Sequence, residues 1–251
     1  MQQATPTTET PTVVLVHGAF ADSSSWHGVI EHLQAAGIST IAISNPLRGL
    51  EYDIVSVTNA VRTIPGPVIL VGHSYGGVVN TSVGSRIDNA VGIVYVASLA
   101  PEEGETSNEV SANYPPMLLS ASLAPASIVA SPIEQDYIVA PDKYHAAFAG
   151  DLPEEVTRVH AVAQRPFVGS ALGTPSGTPA AWKSLPSWFV VATGDEAIHP
   201  DQQRFYAERM GAVTVEIDGS HAVAESQPKK VAEVIVSAAR SVANQKQAVA
   251  V

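Results

Sequence analysis

The chain has 251 residues, 45% hydrophobic and only 15% charged, with 13 Lys and Arg against 24 Asp and Glu for a net charge of −11. This composition supplies a large core, excludes disorder of the whole chain, and speaks against binding a phosphate backbone, which needs clustered Lys and Arg. The absence of cysteine removes disulfides, thiolate nucleophiles and thiolate metal sites together.

The whole chain, 1–251, reads as one domain. Residues 1–11 are rich in Thr and Pro and, like 245–251, are expected to be flexible tails. The first residues do not have the pattern of a secretory signal, and no segment reaches the roughly 18 apolar residues of a membrane span. A cytoplasmic protein without membrane or nucleic-acid partners is expected, with its oligomeric state left open.

Six short apolar runs read as strands: Thr12–Val16, Ser39–Ile43, Val68–Val71, Val91–Val96, Trp188–Ala192 and Val213–Ile217. They are nearly continuous rather than alternating, which is the pattern of strands covered by helices on both faces. Between them lie helical patterns. Trp26, Val29, Ile30 and Leu33 repeat at helical spacing before Gly37, and Ile54–Ile64 stops at Pro65. A third helix starts at Tyr75, and Val231, Val234, Ile235 and Ala238 form a stripe behind Pro228. This predicts an α/β fold with a mainly parallel sheet of about six strands. Residues 97–187 interrupt the rhythm between the fourth and fifth strands. They are too many for a structureless loop, so an inserted lid over the carboxyl ends of the strands is expected there.

Directly after the third strand comes Gly72-His73-Ser74-Tyr75-Gly76-Gly77, followed by a helical pattern. This is G-x-S-x-G in the strand, turn, helix context that exposes a serine hydroxyl on a strained turn. Such a hydroxyl needs a base, itself oriented by a carboxylate. Asp195 follows the fifth strand and His221 the sixth, in the chain order Ser, Asp, His and on the same sheet edge as Ser74. Glu196, Asp201, Asp218, Glu102 and Glu103 are rivals for the acid. The oxyanion formed by attack on a carbonyl needs two backbone donors. They are assigned to Tyr75 N–H and Ala19 N–H, with Phe20 as the rival of Ala19. Phe20 and His199 are candidates for the substrate pocket, although His199 also suits a surface position. The lid residues Tyr114, Met117, Leu118, Phe148 and Phe167 suggest an apolar pocket. No cofactor is required, and no metal-ligating spacing is present.

The segments H-G-A-F at 17–20, G-H-S-Y-G-G at 72–77, G-D-E-A-I-H-P at 194–200 and G-S-H-A at 219–222 resemble the α/β-hydrolase superfamily, from Thr12 to Ala243. The six-strand layout and Gln164-Arg165-Pro166-Phe167 are similar to its branch of plant methyl-ester esterases and hydroxynitrile lyases. The resemblance implies an α/β-hydrolase fold, a small-molecule ester substrate and hydrolysis through an acyl-enzyme on Ser74. The lyases of that branch are expected to carry threonine at position 18 and lysine at position 222. Here Gly18 and Ala222 stand there, which favours an esterase. The alternatives are a lyase on the same site or a ligand-binding protein on the same scaffold.

Overall fold

The computed structural model describes residues 10–126 and 135–249, with side chains through residue 244. Of the expected tails, residues 1–9 and 250–251 lie outside the described residues. In chain order the first half contains β1 (Thr12–Val16), α1 (His27–Ala35), β2 (Thr40–Ile43), α2 (Leu50–Val61), β3 (Val68–His73), α3 (Tyr75–Val83) and β4 (Ala90–Val96). Next come α4 (Ser107–Ser111), β5 (Leu123–Pro125), β6 (Asp136–Val139), α5 (Tyr144–Phe148), α6 (Glu154–His160) and β7 (Phe167–Val168). The chain then runs through β8 (Ser187–Ala192), α7 (Pro200–Arg209), β9 (Val213–Ile217), α8 (Val223–Ser226) and α9 (Pro228–Val249).

The main sheet has six strands in the order β2-β1-β3-β4-β8-β9, and every pairing in it is parallel. All six expected strands are present. The unbroken apolar sequences of β1, β3, β4 and β8 follow from burial on both faces, whereas the edge strands β2 and β9 are largely exposed or half-buried. Val14 and Val16 of β1 join an apolar cluster with Ile54 and Val57 of α2 and Val79 of α3. Val13 and Leu15 join the opposite cluster, with Leu33 of α1 and Ile235 of α9. Fully burying one such side chain stabilises by about 1.5–3 kcal/mol, so the layered sheet is the anchor of the site.

Helix ends differ from the sequence reading for local reasons. α2 starts at Leu50, behind Gly49 at φ +113°, because Leu50 is itself buried. It stops at Val61, since a residue preceding Pro65 is pushed out of helical geometry. α3 ends at Val83, short of Arg86. α9 runs on through Val249, across residues expected as tail, because Ala, Gln and Lys there are good helix formers with no breaker.

The lid, between β4 and β8, folds around elements of its own. α4 opens on a capping box in which Thr106 Oγ1 accepts from Glu109 N–H while the Glu109 carboxylate accepts from Thr106 N–H. β5, β6 and β7 form a small antiparallel sheet, which the sequence reading did not anticipate. α6 lies in Glu154 to Ala163, which reads as a helical stretch in the sequence, but it ends at His160. Lid backbone bonds several loops at the carboxyl end of the sheet. Arg165 N–H donates to Phe20 O at 3.1 Å and Leu119 N–H to Glu196 O at 3.0 Å, while Phe148 O accepts from Ala222 N–H at 3.0 Å.

Candidate active site

Ser74 sits between β3 and α3 at φ +52°, a left-handed conformation that costs a non-glycine residue about 1–3 kcal/mol. Its backbone is held from several sides. Ser74 N–H donates to Val96 O at 3.1 Å, while Ser74 O accepts from Gly77 N–H at 3.0 Å and Ser98 Oγ–H at 2.8 Å. Crowding fixes the neighbouring residues. A Cβ on Gly76 would run into the Val16 carbonyl, and one on Gly72 would lie 2.5 Å from Gly77 N.

Asp195 and His221 come together at the next two strand ends. His221 Nδ1–H donates to Asp195 Oδ2 at 2.7 Å, both side chains being fully buried. Since Nδ1 carries the proton toward an acceptor-only carboxylate, Nε2 is left as the base nitrogen. Asp195 accepts three further bonds: Ala197 N–H at 2.7 Å and Ile198 N–H at 2.9 Å on Oδ1, and Gln203 Nε2–H at 2.8 Å on Oδ2. Rival acids are engaged elsewhere. Asp201 pairs with Arg204 at 2.6 Å, Glu102 pairs with Lys183, Glu196 and Asp218 line a separate surface hollow, and Glu103 is exposed.

Ser74 and His221 line one cavity of about 610 Å³. Among the described residues the Ser74 hydroxyl makes no hydrogen bond to His221, as is common in substrate-free sites. Ala19 and Tyr75 line the same cavity. Among the described residues neither of their backbone amides donates a hydrogen bond, so both are available for an oxyanion. The loop carrying Ala19 is fixed by His17, whose Nδ1–H donates to Gly18 O and whose Nε2 accepts from Asn45 N–H, both at 2.9 Å. Burial pushes the His17 imidazole down to about 4, so it stays neutral and keeps this tautomer.

Phe20 and His199 also line the cavity. The Phe20 ring meets Phe148 and Phe167 edge-on at 6.4 and 5.8 Å. His199 stacks on Tyr114 at 5.9 Å and caps α7 by accepting from Asp201 N–H. Of the lid residues expected at the pocket, Tyr114, Met117, Phe148 and Phe167 are there. Leu118 is not; it is 49% exposed, and Leu119 takes the cavity position instead.

Three supporting residues escaped the sequence reading. Gln203 ties Asp195 to β8, since its Oε1 accepts from Ala192 N–H at 3.0 Å while its Nε2 reaches both Asp195 and Ile198 O. His73, the variable residue before Ser74, donates from Nε2 to the His221 carbonyl at 2.8 Å. Burial, and then the neighbouring His221, push His73 down to about 3, so it is neutral. Asp151 of the lid accepts from Ser220 N–H at 3.0 Å, beside His221. Burial acts to raise this carboxyl, but hydrogen bonding from Ser220 outweighs it and holds it below the ordinary range. Among the described residues no cluster of His, Asp or Glu suits a metal ion, and no helix is long and apolar enough to cross a membrane.

Known proteins resemble this chain over most of its length. Probable hydrolase R7 of Phoma sp. is 22% identical, covering 91% of this chain and 98% of its own. The carbendazim hydrolyzing esterase of Nocardioides sp. is 29% identical over 58% of this chain and 62% of its own. The crystal structure of methylesterase protein MES16 from Arabidopsis superposes with a TM-score of 0.74 at 18% identity, covering 91% of this chain and 98% of that one. The plant methyl-esterase likeness read from the sequence therefore reappears in three dimensions. The sequence model of the alpha/beta hydrolase family matches residues 13–234, and this protein is a member of that family.

Proposed function

We propose that the protein is a serine hydrolase that cleaves a small or medium, largely apolar carboxylic ester or lactone through an acyl-enzyme on Ser74. The observation that carries this reading is the Asp195–His221 pair. It is buried, its tautomer is fixed by a 2.7 Å bond, and it opens onto the cavity that holds the Ser74 hydroxyl and two free amides. A relative named as an esterase supports the ester class.

In this mechanism His221 Nε2 takes the Ser74 proton as Oγ attacks the ester carbonyl, and Asp195 stabilises the imidazolium that forms. The Ala19 and Tyr75 amides hold the oxyanion, an interaction worth about 3–4 kcal/mol for each donor lost. His221 then passes its proton to the departing alcohol. Water, deprotonated by the same nitrogen, releases the acid.

Position 18 argues against the lyase alternative. A Cβ on Gly18 would lie 2.7 Å from Ser74 Cβ and 3.1 Å from His73 Nδ1, so threonine there requires the elbow to move. Ala222 is buried at the other lyase position.

Fluorophosphonate labelling read by mass spectrometry tests the nucleophile. Folded protein should be modified on Ser74, and Ser74→Ala should lose both labelling and turnover of p-nitrophenyl esters by at least about a thousandfold. Turnover by the variant equal to that of the parent would exclude the covalent route.

A further inference from the structure

Most of the cavity wall is apolar, yet Asn108, Ser111 and Gln202 also line it. Among the described residues none of the three is hydrogen-bonded to Ser74, His221 or Asp195. Gln202 and Gln203 are successive residues of α7 with different tasks: Gln203 bonds Asp195, whereas Gln202 reaches the cavity. Gln202 is 2% exposed, and its Nε2 donates to Ser111 Oγ at 2.9 Å. One Nε2 hydrogen is then spent, the amide also neighbours the buried Tyr206 hydroxyl, and Oε1 carries no bond among the described residues. Because Ser111 Oγ is the acceptor in that bond, its own proton is free to be donated.

A buried amide with spare capacity in an apolar cavity is costly unless a ligand completes it. The groups named here offer donors, Ser111 Oγ–H and Asn108 Nδ2–H, beside the amide oxygens of Gln202 and Asn108, so a neutral polar group finds partners. No Lys or Arg is among the described residues lining the cavity, and the chain carries a net charge of −11, so an anion finds no fixed positive charge there. The Tyr114–His199 stack beside these groups suits a flat ring.

We propose that Gln202, Ser111 and Asn108 form a recognition subsite for a neutral hydrogen-bond acceptor carried by the substrate at a distance from its reacting carbonyl. A ketone, an amide or a heteroaromatic nitrogen on an aryl group fits this description. The proposal rests on the ester-hydrolase reading for the placement of the reacting carbonyl at Ser74. Sites built to bond a polar group reject the analogue lacking it far more strongly than apolar pockets reject a missing methylene.

The test compares 4-acetylbenzyl, 4-ethylbenzyl and 4-carboxybenzyl butanoate, which carry the group on the alcohol part. A second series places the same groups on the acyl part, as methyl 4-(4-acetylphenyl)butanoate and its 4-ethyl and 4-carboxy counterparts. kcat/KM is measured on the parent chain, and affinity by calorimetry on Ser74→Ala. In at least one series the acetyl compound should be preferred over the ethyl compound by tenfold or more, with the carboxylate disfavoured. In Gln202→Leu that ratio should fall to within twofold. Ser111→Ala, at an exposed position that tolerates truncation, should lower it as well. A ratio near one in both series, a ratio unchanged in both variants, or a preference for the carboxylate would overturn the subsite. If no ester is turned over while Ser74→Ala still selects the acetyl compound, the subsite stands and the hydrolase reading fails.

Discussion

Gln203 holds three parts of the molecule with one side chain: the end of β8, the Asp195 carboxylate and the Ile198 carbonyl. It shares Asp195 Oδ2 with His221, so its removal frees the carboxylate to turn. Gln203→Leu should lower kcat on the order of tenfold to a hundredfold, the scale of losing a group that orients a catalytic residue. Gln203→Glu separates orientation from packing. An ionised glutamate repels Asp195 and a protonated one donates to it, so activity relative to the parent should climb as pH falls from 8.5 to 5.5. A residue with only a packing role would give a flat ratio. That Ser74, Asp195 and His221 gather at one edge of the sheet was legible because each directly follows an apolar strand in a short glycine-bearing turn. Gln203 was not, because it lies on a helix whose sequence, Pro200–Arg209, is mostly polar and buries only a narrow strip at Gln202, Gln203, Tyr206 and Ala207. His73 was visible as a letter of the motif, but nothing in the sequence says that its ring turns under the elbow to reach the His221 carbonyl.

At the scale of elements, α3 is coupled to α2 through one buried bond. Tyr75 Oη–H donates to Asp53 Oδ2 at 2.8 Å, and Arg48 N–H donates to Oδ1 at 2.9 Å. Burial raises the Asp53 carboxyl above its ordinary range, so each donor to it matters. Tyr75→Phe leaves Asp53 one partner short and should cost about 1–3 kcal/mol. For a chain of this length, each kcal/mol lowers Tm by about 2–4 °C, which differential scanning calorimetry resolves. The four inner strands were read almost to the residue because two-sided burial writes itself into nearly every position, while the exposed edge strands β2 and β9 were legible from their β-branched residues. The lid was legible as an interruption but not as a shape. β7 spans only two residues and β5 contains Pro125, so neither is long enough to show a period. α4 did carry a readable sign, the Thr106-x-x-Glu109 capping box.

For the molecule as a whole, two neutral histidines buried beneath the site contribute to its response to acid. His73 and His17 titrate at about 3 and about 4 when folded, against an ordinary value of 6.5. Between 6.5 and those values the unfolded chain takes up protons that the folded chain refuses. Their contribution is therefore complete above pH 6.5 and drains away as pH falls, at up to about 1.4 kcal/mol per pH unit for each group. Glu225 works in the opposite sense. Burial, and then Asp22, raise it to about 7, so its contribution is present below 4.5 and lost as pH rises through 7. His73→Gln retains an amide N–H for the His221 carbonyl but cannot titrate. Its Tm should fall less than the parent's between pH 7.5 and pH 5, and an equal fall would show that His73 is not the group responsible.

The bonds that tie the lid to the loops of Phe20, Glu196 and Ala222 run through main-chain amides and carbonyls, which every residue but proline supplies alike. The cavity wall, by contrast, is made of lid side chains such as Tyr114, Met117, Leu119 and Leu172. Attachment and selectivity are thus written in separate parts of the same residues. A lineage, or a mutagenesis library, can rewrite the wall while the seams stay sewn, so this scaffold can acquire new substrates without first loosening the machinery that attacks them.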